Sequence, residues 1–293
     1  MAKKKLIIEM RLNEYEMRDR NRNVPWTAEE LARDAAACRE AGASIVHFHA
    51  RRGEGSPAFD YESYRDVIQA IRASSDVLIH PTLGGPANNV SAQERLSHVV
   101  RLAEAGIRPD FVPMDMGTSN VDMFDEAAGR FVSQDNIYFN TTETLRYFAE
   151  QLRKLGIKPS LEIWSIPMMR LARAFHHLGL LDEPLLLSLN LIEGGLIAAH
   201  PGTAKGLRAH LDFLPEEAAH EWVVTFFGGN LLNLAGMIIT EGGHIATGIG
   251  DYPYPELGQP TNADIARRVA QIATDGGREL ATPAETKEML GLP

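Results

Sequence analysis

Ala41-Gly42-Ala43-Ser44-Ile45-Val46-His47-Phe48-His49 decides how this chain reads. The apolar run Ala43–Val46 has strand character, and alternation along a strand sends residues i and i+2 to one face. His47 and His49 then project side by side from one strand end. Two such imidazoles are half of a site for zinc or another divalent metal. A plain His pair on a half-exposed strand has the same spacing, so the motif alone does not choose. Its surroundings do more. The capping box Thr27-Ala28-Glu29-Glu30 opens a helix that Gly42 closes, and the polar loop Arg51-Arg52-Gly53-Glu54-Gly55 follows the strand.

The same unit repeats outward from there. Strands are expected at Lys5–Leu12, Ser44–His49, Val77–Pro81, Phe111–Met114, Ser160–Trp164, Leu185–Leu191, Trp222–Phe227 and Ile245–Ile249, with helices between them. Eight strand–helix units predict one (β/α)8 TIM barrel, an α/β fold spanning residues 1–293. No Gly-x-Gly-x-x-Gly follows the first strand, which weakens a dinucleotide-binding reading. Asn13–Trp26 is a long polar loop outside the plan, and residues 129–140 read as an extra hairpin or extended loop. A further helix starts at Thr282-Pro283-Ala284-Glu285. Barrel chemistry gathers at the carboxyl ends of strands. Those ends carry Glu9, Arg11, Asn13, His47, His49, Arg51, His80, Thr82, Asp115, Glu162, Ser188, Asn190 and Asp251. Burying so many polar groups costs free energy unless they are paired, so a set this dense points to a site.

Composition narrows the classes. The net charge of −10 argues against nucleic acid or an anionic membrane as partner. The single cysteine, Cys38, permits no intrachain disulfide and reads as a buried structural thiol. Leu6-Ile7-Ile8 is too short for a signal-peptide core, so a cytoplasmic location is expected. His176 and His177 fall on a helix and His210 and His220 near surface loops, where solvated or packing roles are the default.

The chain resembles the β-keto acid cleavage enzymes. The resemblance rests on residues 41–51, on Thr82-Leu83-Gly84-Gly85, Met116-Gly117-Thr118 and Leu161-Glu162-Ile163, on Gly242-Gly243-His244-Ile245, and on the ending Arg278-Glu279-Leu280-Ala281-Thr282-Pro283-Ala284-Glu285. It implies a zinc-dependent TIM barrel that joins a β-keto acid to acetyl-CoA, yielding acetoacetate and a new acyl-CoA. It also implies a homo-oligomer, commonly a tetramer. The family pattern after strand eight, Gly-Gly-His-Val-Arg-Val-Gly-Leu-Glu-Asp, carries a metal-binding Glu and a catalytic Arg. Here Gly250 stands for that Glu and Ala246 for that Arg, while Asp251 is kept.

Strand one suggests where the lost groups went. Leu6, Ile8, Met10 and Leu12 can face the helices, leaving Ile7, Glu9, Arg11 and Asn13 for the interior. A closed barrel seats strand one between strands eight and two. The expected metal ligands are therefore His47, His49 and Glu9, with Arg11 supplying the cation. The alternative is a Glu9–Arg11 ion pair in a noncatalytic barrel. Zinc would polarise the ketone as a Lewis acid, and Arg11 would stabilise the developing oxyanion. By resemblance Asp251 takes part in the base step, Glu162 supports the site electrostatically, and Thr82 meets the substrate carboxylate. Glu14, Asn13, Arg51, His80, Gly84, Gly85, Asp115 and Thr118 complete the expected substrate-binding set. Asp115, where the family prefers Asn, adds negative charge, and with Glu9, Glu14 and Glu162 it hints at a substrate carrying an amine or another polar group. Two other readings stay open: another metal-dependent carbon–carbon lyase or hydrolase on this barrel, and a noncatalytic keto-acid- or CoA-binding descendant.

Overall fold

The computed structural model describes residues 4–83 and 90–292. Eight parallel strands form the barrel: β1 (Ile8–Arg11), β2 (Ile45–Phe48), β3 (Leu78–Pro81), β4 (Phe111–Asp115), β5 (Lys158–Ile163), β6 (Leu185–Ile192), β7 (His220–Phe227) and β8 (His244–Thr247). The ladder runs β3-β2-β1-β8-β7-β6-β5-β4. β3 and β4 meet at the seam through Asp110, whose backbone N–H donates to Ile79 O at 3.0 Å and whose carboxylate accepts from Ile79 N at 2.8 Å. Eight strands with alternating helices are the expected TIM barrel, and each helix follows from its sequence. Thr27–Glu30 and Thr261–Asp264 close capping boxes at the starts of α1 (Ala28–Glu40) and α8 (Asn262–Asp275), and Thr282–Glu285 does so for the short α9 (Pro283–Met289).

The parity expected on β1 is observed. Leu6, Ile8, Met10 and Leu12 pack into the large core between strands and helices. Ile7 joins Ile45, Leu78, Phe111, Leu186, Val223 and Ala246 in a separate apolar plug inside the barrel. Ala281 and Leu290, flanking α9, close that plug from below. Chemistry is thereby confined to the other end.

Three details depart from the sequence reading. β8 stops at Thr247, so Gly248–Asp251 is a turn rather than strand. The 129–140 expectation becomes two small antiparallel pairings, residues 119–120 with 137–138 and 124–125 with 130–131, so the extra structure begins ten residues earlier. His210 is no surface residue: it is fully buried on α6 (Ala204–Leu211), because Ala204–Leu211 turns that face onto β6. Among the described residues, no helix is long and apolar enough to cross a membrane.

Candidate active site

Register places the site. Arg11 is the lateral neighbour of His47, and His47 of His80, so three polar side chains share one level across β1, β2 and β3. Glu9 lies one interior layer lower, level with Ile45 and Ala246. At about 3.3 Å per residue, His49 is then roughly 13 Å further along the strand direction. Glu9 accordingly reaches inward, its Oε1 3.0 Å from His80 Nδ1. Its donor group is Glu9, His47 and His80, not the expected Glu9, His47 and His49. The expected role of Glu9 is corrected on this ground: it is too deep for His49.

Glu14 holds the place expected of Glu9. Its Oε2 lies 2.8 Å from His49 Nε2 and its Oε1 3.2 Å from His47 Nε2. Glu14, His47 and His49 are all buried and offer donor atoms within 4.8 Å of one another. Glycine explains the exchange. A Cβ at Gly250 would stand 2.7 Å from Asn13 N, Asn13 C and Glu14 N, and one at Gly248 would stand 2.1 Å from Arg11 O. The chain leaving β1 thus runs directly over the position that carries a Glu in the family pattern. The side chain is lost from 250 and the backbone bearing Glu14 fills its space. Glu14 adopts a left-handed φ of 34°, a cost that only surrounding contacts sustain.

Those contacts come from Arg51 and Asn13. The Arg51 guanidinium donates to the backbone carbonyls of Asn13 (2.8 Å), Glu14, Glu16 (3.2 Å) and Gly55 (2.7 Å). Asn13 donates to Pro25 O and His49 O and accepts from His49 N at 2.8 Å. Both were expected to bind substrate. The Arg51 Nη atoms and the Asn13 amide instead shape the loop, and neither residue lines the cavity. Thr118 is likewise corrected: its hydroxyl accepts from Asn140 N at 3.0 Å, away from the cavity wall. His80 stands beside His47, ring centroids 4.7 Å apart, and pairs with Glu9. Gly84 and Gly85 lie outside the described residues.

Arg11 ties the carboxylates together. Its Nη2 is 2.9 Å from Glu14 Oε1, its Nε donates to Asp251 Oδ1 at 3.1 Å, and its Nη1 is 3.7 Å from Glu9 Oε1. Burial alone would raise the Glu14 carboxyl, but Arg11, His47 and His49 overcome it and hold it well below the usual range. Asp251 goes the other way: burial raises it well above its ordinary value, Arg11 offsets only part, and Glu14 adds to the rise. Burial lowers His47 to about 3, so its ring is neutral at physiological pH, the form that ligates metals. Both His47 nitrogens, His49 Nδ1, His80 Nε2 and Asp251 Oδ2 are buried without a hydrogen bond. Orphaned ring nitrogens beside a carboxylate are the donor set of a divalent-metal site.

A cavity of about 580 Å3 opens onto this cluster. Arg11, Glu14, His47 and His49 form one wall, and Thr82, Asp115, Glu162 and Asn190 also line it. Asp251 sits behind Arg11 and does not. Glu162 accepts from Ser160 Oγ (2.8 Å) and Asn190 Nδ2 (2.9 Å), which fixes both its oxygens. Sequence reasoning missed Tyr15, Phe59 and Trp164, which wall the cavity from loops, and Tyr138, which walls it from the 119–120/137–138 pairing. Only Trp164, at the end of an expected strand, left a signal.

Comparison with known proteins identifies the chain's relatives. Residues 5–292 match the profile of a family described as beta-keto acid cleavage enzyme. The chain is 31% identical over 278 residues to a 3-keto-5-aminohexanoate cleavage enzyme of Fusobacterium nucleatum, covering 94% of this chain and 93% of that one. It is 25% identical over 276 residues to a 3-oxoadipate:acetyl-CoA acetyltransferase of Cupriavidus necator, covering 93% and 89%. The solved structure of apo ObcA superposes with a TM-score of 0.71 at 13% identity, a likeness of fold. It covers 92% of this chain, which spans 66% of that longer one, just under two thirds.

Proposed function

The chain belongs to the β-keto acid cleavage enzyme family, and we propose that it cleaves a β-keto acid in the presence of acetyl-CoA, yielding acetoacetate and a new acyl-CoA. We propose zinc as the resident ion, held by His47, His49 and Glu14. The observation that carries this reading is the Glu14–His47–His49 group, with its unpartnered nitrogens, at the mouth of the cavity. Bound there, a divalent metal would act as a Lewis acid toward substrate oxygens.

The chain's own groups supply the rest. Arg11 faces the cavity as a fixed cation beside the imidazoles and stabilises negative charge developing on a substrate oxygen. Asp251 keeps the guanidinium aimed by accepting its Nε–H. Asp251 has a raised proton affinity and one unpartnered oxygen, so its carboxylate is our candidate acceptor for the proton leaving the substrate carbon, reached past Arg11, which stays charged throughout. Thr82 lies on the cavity wall as the contact for the substrate carboxylate. Glu162, held by Ser160 and Asn190, adds fixed negative charge on the far side. Acetyl-CoA as co-substrate is supported by the name of the Cupriavidus relative. A soluble homo-oligomer in the cytoplasm, a tetramer by resemblance, completes the proposal.

The test is turnover of a panel of β-keto acids by zinc-loaded protein, with and without acetyl-CoA. Acetoacetate formed only when both are present supports the reading. Cleavage without acetyl-CoA would favour a lyase instead.

A further inference from the structure

Glu9 is a buried carboxylate that the proposed chemistry leaves unused. Its lateral neighbours in the sheet are Ile45 and Ala246, both part of the apolar plug. Its polar partners come from the layer above. His80 Nδ1 is 3.0 Å from Glu9 Oε1, and Arg11 Nη1 is 3.7 Å from it. Burial opposes a charge on Glu9, but His80, Arg11 and His47 outweigh it and hold the carboxyl below its ordinary range. A charged carboxylate only accepts, so His80 donates through Nδ1 and keeps Nε2 as a bare acceptor. That Nε2 is buried without a hydrogen bond. The His80 ring packs against both Phe111 and His47, with centroids 5.8 and 4.7 Å away.

His47 has the complementary need. Its Nε2 lies 3.2 Å from Glu14 Oε1, on the side of the proposed ion. A neutral imidazole that gives one nitrogen to a metal carries its proton on the other. Here that proton falls on Nδ1, which is buried and has no hydrogen bond. A ligating histidine ordinarily donates this second N–H to a carboxylate, a carbonyl or water, which fixes both ring and tautomer. Glu9 and His80 each offer an acceptor within 4.8 Å of a His47 nitrogen. Glu14 is engaged at the other nitrogen, and Arg11, the lateral neighbour on β1, has no acceptor to give.

We infer that Glu9 and His80 act as one positioning pair for His47: they accept the hydrogen bond of its Nδ1–H and so reserve Nε2 for the metal. The inference rests on the proposed metal site, in which neither residue is a ligand. The probes are zinc and cobalt(II) alone, titrated against a chelating indicator into wild type, Glu9→Gln, His80→Gln and the double variant. Each single variant is expected to bind zinc roughly 10–100-fold more weakly, while still filling the site at saturating metal. The visible bands of bound cobalt(II) are expected to shift, because a reoriented imidazole changes the ligand field. Since the two residues act as a unit, the double variant is expected to lose no more than the weaker-binding single. Ile45→Val loosens the same layer without touching a polar group, and it is expected to change neither affinity nor spectrum. Wild-type affinity and spectrum in both single variants, additive losses in the double, or an equal loss in Ile45→Val would overturn the inference. Loss of all metal from Glu9→Gln with retention by Glu14→Gln would also overturn it, since Glu9 would then be a ligand. If Glu9→Gln does not fold, His80→Gln reads the same affinity and spectrum. No metal bound by wild type defeats the metal reading itself.

Discussion

The two walls of the cavity handle buried carboxylates in opposite ways. On the β1–β2 wall Glu14 touches two imidazoles and a guanidinium, and its carboxyl is held well below the usual range. On the β4–β5 wall Asp115 accepts its hydrogen bond from the neutral Tyr138 hydroxyl, and Arg95 offsets only part of its burial. Its enclosure and the neighbouring Glu162 push its carboxyl up to about 6. The first wall has its charges paired in advance and needs only a metal to use its remaining lone pairs. The second holds a carboxyl whose charged form burial disfavours. The same cavity thus holds buried carboxyls of opposite proton affinity.

The largest effect is expected at the first wall. Glu14→Gln removes a charged donor from between His47 and His49 and is expected to lower kcat/KM at least about 100-fold, with loss of bound metal. Metal analysis alongside kinetics checks it. Arg11→Lys comes next. A lysine cannot hold Glu14 and Asp251 at once with the same fork, so a loss of roughly 10–100-fold, mainly in kcat, is expected from steady-state kinetics. Gly250→Ala attacks the arrangement from behind. Its Cβ would collide with the Asn13–Glu14 backbone at 2.7 Å. A Tm drop equivalent to about 1–3 kcal/mol, with weaker metal retention, is expected from thermal unfolding with and without chelator.

At the second wall the expected effect is on stability and depends on pH. Asp115 faces Glu162 on β5, Tyr138 on the inserted pairing, Arg95 on α3 (Ala92–Glu104) and Tyr15 on the first loop. Its pKa is raised from 3.8 to about 6 on folding, so folding disfavours the charged form. The penalty is absent below about pH 4, grows as pH rises, and is complete above about 6. Asp115→Asn is therefore expected to gain up to about 1–3 kcal/mol at neutral pH and nothing in acid. A Tm series against pH reads this directly. A gain that is the same at all pH values would mean the carboxylate is already compensated.

How much of this was legible follows a physical divide. The barrel, its strand parity and the His47–His49 pair were readable, because alternation and caps are local. Cys38 is buried, as its helix suggested. Asp115, Glu162 and Thr82 reach the cavity as strand ends should. Glu9 was misplaced because parity fixes a face but not a height. Its register against Ile45 and Ala246 sets it one layer too deep. Glu14 was assigned to substrate because nothing local shows that residues 13–16 fold back over the mouth. Arg51, nearly forty positions away, fixes that path through backbone carbonyls, and Gly248 and Gly250 at the far end of the chain clear the space. Tyr138 was invisible for the same reason, since its place depends on pairing with Ser119.

The most direct measurement is metal stoichiometry on untagged wild type, Glu14→Gln and Glu9→Gln side by side. Near one zinc per chain in wild type and Glu9→Gln, with loss in Glu14→Gln, is the predicted result. Zinc retained by Glu14→Gln but lost from Glu9→Gln would contradict it and move the ion down to the Glu9–His47–His80 group.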